Sequence, residues 1–93
     1  MSKKGYTIID NDIFQDPRLT LKAKGLYCSL KALPDTWNYN KAGLLLFTSD
    51  GIRALNSGLE ELKKYGYLDI TRVRNPNGQI AYRYILKKPP LPP

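Results

Sequence analysis

Four residues near the C-terminus, Asn75-Pro76-Asn77-Gly78, restrict what this chain can fold into more than any other stretch. They fit a type I turn: proline is favoured at the second position, and glycine tolerates the left-handed conformation that follows. The flanking runs 67–74 and 79–87 are rich in β-branched and aromatic residues, which predicts the two strands of an antiparallel hairpin. Arg72 and Arg74 lie two apart in the first strand. Side chains alternate along a strand, so these arginines share a face, about 6.6 Å from one another.

Upstream of the hairpin the apolar period changes from two to helical. Over 21–33, Ala23, Leu26, Tyr27, Leu30 and Leu33 form a stripe that Lys22, Lys24 and Lys31 avoid, with Thr20 as N-cap and Pro34 as terminator. Gly25 inside this helix costs about 1 kcal/mol relative to alanine, and implies close approach of another element. A second, short helix is expected over 41–47, capped by Asn40, with Trp37 and Tyr39 as core anchors beside it. Thr48-Ser49-Asp50-Gly51 is a tight polar break offering an N-cap and a first-turn acid to a third helix over 52–65. Ile52, Leu55, Leu59 and Leu62 form its inner face, and Gly66 stands where a C-terminal glycine belongs. The opposite face carries Asp50, Arg53, Ser57, Glu60 and Lys64, with Asn56 at its edge. At the N-terminus, 6–9 reads as a short strand closed by the turn Asp10-Asn11-Asp12, and Asp16-Pro17-Arg18 as another turn.

The 93 residues allow one small domain. Its expected extent is 6–88, after a disordered 1–5 and before a proline-rich linker or tail at 89–93. The formal charge is +7, and it is unevenly spread. Residues 1–62 hold eight bases against seven acids, whereas 63–93 hold seven bases against Asp69 alone. A basic excess on an ordered hairpin points to a polyanionic partner. The chain has no histidine and one cysteine, Cys28. Histidine-based triad chemistry, an intramolecular disulfide and a zinc cluster are thereby excluded, and neither an enzymatic role, a small-molecule substrate nor a cofactor is expected. No apolar leader is visible and the longest apolar run, 44–47, is too short to span a membrane, so a cytoplasmic protein is expected.

The order short helix, tight turn, longer helix, hairpin is that of a helix-turn-helix with an appended wing. Arginine and asparagine can pair bidentately with guanine and adenine edges, which makes Arg53 and Asn56 candidate base readers. Arg72, Arg74 and Arg83 on the hairpin could contact phosphate. Taken singly, Arg53, Asn56 and Ser57 are equally compatible with an ordinary solvated helix face. Tyr82 and Tyr84 more often serve sheet packing than base stacking. Glu60 and Glu61, near the reading face, would repel phosphate and confine contacts to the first two helical turns. Cys28 lacks a histidine to activate it and reads as an inert small residue.

The stretch Tyr6-Thr7-Ile8-Ile9-Asp10-Asn11-Asp12-Ile13-Phe14, followed by Leu19-Thr20-Leu21-Lys22-Ala23-Lys24-Gly25-Leu26, resembles the N-terminal winged-helix domain of bacteriophage and mobile-element replication initiators, the replisome organisers and DnaD-like proteins. Leu33-Pro34-Asp35-Thr36-Trp37-Asn38-Tyr39, Leu59-Glu60-Glu61-Leu62 and Gly66-Tyr67-Leu68 continue the likeness, which spans 6–88. The resemblance implies an α+β winged helix-turn-helix that binds double-stranded DNA, often as the first module of a longer protein at a replication origin. It places Ser49, Asp50, Arg53, Asn56 and Ser57 on the recognition helix and 72–79, with Asn77, on the wing. With Lys64 and Arg83 these complete the candidate DNA-contacting set. Related domains occur in transcription regulators, and a homodimer or replication proteins are further partners to expect. Two rival readings are a protein–protein module and an RNA binder.

Overall fold

The computed structural model describes residues 5–33 and 41–89. Within them run α1 (Asp12–Gln15), α2 (Leu21–Lys31), α3 (Lys41–Leu45), α4 (Ile52–Lys64), β1 (Leu68–Arg74) and β2 (Ile80–Leu86). The chain is thus an α+β arrangement of four helices and a two-stranded antiparallel sheet. The expected core anchors Trp37 and Tyr39, the cap Asn40 and residues 90–93 lie outside the described residues.

Helix α2 begins as its sequence predicts. Thr20 is extended (φ −77°, ψ 163°) and its hydroxyl accepts the Ala23 N–H at 3.2 Å. A second contact comes from far along the chain: the Glu61 carboxylate accepts Thr20 N–H at 2.7 Å and Thr20 Oγ–H at 2.8 Å. Glu61 therefore does not stand on the outer face of α4 as a phosphate repellent. It turns inward to tie α4 to the start of α2. Ala23, Tyr27, Leu30 and Leu33 bury as the α2 stripe, and Leu26 packs at its margin.

The core closes from α4, whose Leu55, Leu59 and Leu62 are buried. Ile52, expected with them, is 45% exposed. By the helical period it lies about 50° from the centre of the buried leucine stripe, and it stands at the end where the core runs out. Close approach occurs at Gly58 rather than Gly25. A Cβ at Gly58 would stand 2.9 Å from Leu26 Cδ2, whereas one at Gly25 would meet nothing within 4 Å. The N-cap of α4 also differs from expectation. It is Gly51, with no side-chain cap bond, and Asp50 lies outside the first turn. Thr48 Oγ1 instead accepts the Asp50 N–H at 3.1 Å.

At its other end α4 stops as expected. Gly66 adopts φ 84°, its N–H reaches Lys63 O at 3.3 Å, and Tyr67 N–H reaches Leu62 O at 2.8 Å. This pair of bonds is the Schellman arrangement, which satisfies the last carbonyls and reverses the chain into β1. The register pairs Leu68 with Leu86, Ile70 with Tyr84, Arg72 with Tyr82 and Arg74 with Ile80. The turn closes with Gly78 N–H on Asn75 O at 2.9 Å and Asn75 N–H on Gln79 O at 2.8 Å, Gly78 having φ 87°.

The N-terminal region departs most from its sequence pattern. Residues 6–9 belong to no strand among the described residues, although Thr7 and Ile9 are half-buried while Tyr6 and Ile8 are exposed. The alternation of an extended chain is present, but a strand also needs a hydrogen-bonded neighbour. The turn expected at 10–12 leads into α1, with Asp10 Oδ1 accepting the Asp12 N–H at 3.0 Å. Next comes a fully buried carboxylate, Asp16. It accepts Arg18 N–H at 3.0 Å, Arg18 Nε–H at 2.9 Å, Arg18 Nη2–H at 2.7 Å and the Tyr67 hydroxyl at 2.8 Å. What looks in sequence like a surface turn is a clamp between the N-terminal segment and the base of the hairpin.

Candidate nucleic-acid interface

Four outward positions of α4, Arg53, Ser57, Glu60 and Lys64, follow the spacing i, i+4, i+7, i+11 and therefore form one line along the helix. Arg53 is exposed one residue into the helix. Ser57 is exposed but engaged: Lys22 on α2 donates to its Oγ from Nζ at 2.9 Å. Lys22 is thereby a cation of this face that the sequence pattern did not single out. Its position off the apolar stripe of α2 was visible. Its reach to Ser57 depends on the close crossing at Gly58, where Lys22 Cγ lies 3.9 Å from the place of a Cβ. Lys64 stands over the Tyr65 ring, 5.3 Å from its centroid.

Asn56 is less open than its place at the edge of this face suggests. Its side chain is half-buried and its Oδ1 is sealed from solvent with no hydrogen-bond partner. Bidentate pairing with adenine needs both amide atoms outward, and in this conformation Asn56 does not present both. Ser49 and Asp50 are exposed in the turn before the helix. That turn starts earlier than expected. Regular α3 ends at Leu45, and tighter bonds from Leu46 N–H to Gly43 O and Phe47 N–H to Leu44 O, both 3.1 Å, carry the chain to Thr48.

The hairpin separates its cations by face. Leu68, Ile70, Tyr84 and Leu86 share the side that packs on the core. Arg72 and Arg74 lie on that same side, beyond the packed rows and exposed. Arg83, paired with Thr71, lies on the reverse side. Asn77 is spent within the turn, its Oδ1 accepting Gln79 N–H at 3.1 Å. The two tyrosines divide likewise, Tyr84 packing on the core while Tyr82 is 50% exposed.

Ion pairing sorts the basic C-terminal third further. Lys63 pairs with Glu60 at 3.0 Å, Lys87 with Asp69, and Lys88 with Asp10 at 2.6 Å and Asp12 at 3.5 Å. The Lys88 ammonium holds the Asp10 carboxyl below its ordinary pKa. Among the described residues no carboxylate lies within 4.0 Å of Lys64, Arg72, Arg74 or Arg83, so these four cations are uncompensated. Cys28 is half-buried on α2, and burial pushes its thiol up, which depletes the reactive thiolate. No helix of the described residues is long and apolar enough to cross a membrane. Compared with known proteins, the chain matches no family model, no curated protein and no solved structure.

Proposed function

We propose that this chain binds double-stranded DNA as a winged helix, with α3, the turn 46–51 and α4 as the helix-turn-helix and the β1–β2 hairpin as the wing. The observation that carries the reading is the sorting of charge. Three of the seven C-terminal bases are neutralised by carboxylates, and the four without such a partner lie on the end of α4 and on the hairpin. Pairing of the other three on the surface leaves these cations for an external polyanion. In such a complex Arg53 reads a base edge from the first turn of α4, Lys22 and Lys64 hold phosphate further along the same face, and the hairpin arginines hold phosphates that set its register. The resemblance to replication initiators makes a replication origin of a phage or mobile element the site of action, with transcription control as the alternative setting for the same binding.

The test is the salt dependence of duplex affinity. Each phosphate neutralised contributes about 0.9 to the slope of log affinity against log salt. The double variant Arg72→Ala/Arg74→Ala should therefore have a slope shallower by nearly two, and an unchanged slope removes the hairpin from the interface. Arg53→Ala should cost about 1–3 kcal/mol on the preferred site and relax preference at one base pair. If duplex DNA is not retarded even at low salt and light scattering finds a dimer, the reading passes to protein docking. The apolar groove of about 450 Å³ between α2, α3 and the start of α4, beside the 83% exposed Leu46, would be its surface.

A further inference from the structure

Beyond duplex binding, we infer that the free end of the hairpin holds an unpaired DNA nucleotide, its base stacked on Tyr82 and its neighbouring phosphates held by Arg72 and Arg74. Tyr82 stands directly across from Arg72 in the register, and the Arg74–Ile80 row follows on the same side. Directly opposed side chains in an antiparallel pair have Cβ atoms about 4.5–5.5 Å apart, and the diagonal neighbour is about 7–8 Å away. Both guanidiniums are therefore within reach of the one ring, from the neighbouring strand. The ring is not consumed by the core: the packed rows end at Ile70 and Tyr84, one row short of it. It is half-exposed, and neither arginine has a carboxylate partner among the described residues. Asp69, the one acid of the hairpin, is on the reverse side and engaged with Lys87.

The occupant follows from this chemistry. Every base has a π-face, but in a duplex those faces are covered by neighbouring bases. A tyrosine ring offered beside two cations therefore suits a base that has left the stack, as single-strand sites do. A duplex phosphate backbone would be served by the arginines alone. The inference extends the duplex reading to a junction, where α4 lies on paired DNA and the hairpin tip meets the strand that has opened.

Fluorescence anisotropy with three labelled probes separates the two readings: a blunt duplex, the same duplex with an unpaired arm, and the arm alone. Wild-type chain should favour the forked probe over the blunt one. Tyr82→Ala should abolish that preference, weakening the fork by about tenfold while leaving blunt-duplex affinity within about twofold. Tyr82→Phe, which keeps the ring, should retain the preference, and matching thermal melts of the variants confirm that all are folded. Equal wild-type affinity for fork and duplex, or a Tyr82→Ala loss shared equally by both probes, overturns the inference while leaving duplex binding intact. Tyr82-dependent binding of the fork and the arm, with no binding of the blunt duplex, supports the inference and overturns the duplex reading.

Discussion

The β1–β2 hairpin is held tightly at one end and left unheld at the other. At its base, Tyr67 is buried edge-on against Tyr27, with centroids 5.9 Å apart and planes at 80°. Its hydroxyl donates to Asp16, and its carbonyl accepts Lys87 N–H at 2.7 Å. Beyond Ile70 and Tyr84 the same two strands carry arginines, a half-exposed tyrosine and a turn bonded only to itself. One element thus has two jobs divided along its length. The base is fixed by non-local packing, and this makes the direction of the tip reproducible without burying what the tip offers.

The strongest test of that division is to loosen the base. Asp16→Ala removes the acceptor of three Arg18 N–H groups and leaves the buried Tyr67 hydroxyl without its partner. A buried hydroxyl left without its partner costs about 1–3 kcal/mol, so chemical denaturation should show a loss of that order. The same carboxylate makes the fold acid-sensitive. The Arg18 guanidinium holds the Asp16 carboxyl well below the usual range. Its stabilisation is thus complete above the unfolded value, about 3.9, and declines as pH falls below that toward the folded value. Asp16→Ala should flatten this acid limb. A variant as stable as the parent at neutral pH would show that the clamp does not hold the base.

Alkali should act on the same place with the opposite sign. Burial and the Asp16 carboxylate raise the Tyr67 hydroxyl from its ordinary value to about 12. A raised acid is neutral in the fold when it would ionise in the unfolded chain. Its contribution is therefore full below about pH 10 and is lost as pH rises from 10 through 12. The shift corresponds to about 2–3 kcal/mol at most. Of the seven tyrosines, Tyr67 should be missing from the early tyrosinate absorbance change and appear with unfolding. Burial also raises the Tyr27 and Tyr84 hydroxyls, so Tyr67→Phe should reduce the late step by one ring; an undiminished late step would show that Tyr67 does not contribute to it.

The same contrast marks what was legible in the sequence. The tip was largely readable because it is local: proline and glycine set the turn and the strand period set the faces of Arg72 and Arg74. The base was not, because its decisive bond joins Asp16 to Tyr67 across 51 positions, and an Asp-Pro-Arg run carries no sign of burial. Glu61 misled for the same reason, its role being fixed by Thr20 on another helix. Residues 6–9 have strand composition, yet no strand forms there among the described residues, because propensity does not supply a neighbour. In the candidate interface, Arg53 was placed by helical period alone. Asn56 lies at the edge of that face, where the period does not separate half-buried from exposed.

The two left-handed glycines give the smallest and most direct comparison of base with tip. Gly66 and Gly78 have nearly the same φ, 84° and 87°, so an alanine at either meets the same intrinsic penalty, about 1–2 kcal/mol. Their surroundings differ. A Cβ at Gly66 would lie 3.3 Å from Pro89 Cβ, while one at Gly78 would meet nothing within 4 Å. Gly78→Ala should therefore cost only the backbone term. Gly66→Ala should cost that term plus the displacement of Pro89 from the Schellman turn that launches β1. Melting temperatures of the two variants measure the difference directly, with Gly66→Ala the lower. Equal melting temperatures would mean that Pro89 yields freely and that the hold on the base resides in Asp16 and Tyr67 alone.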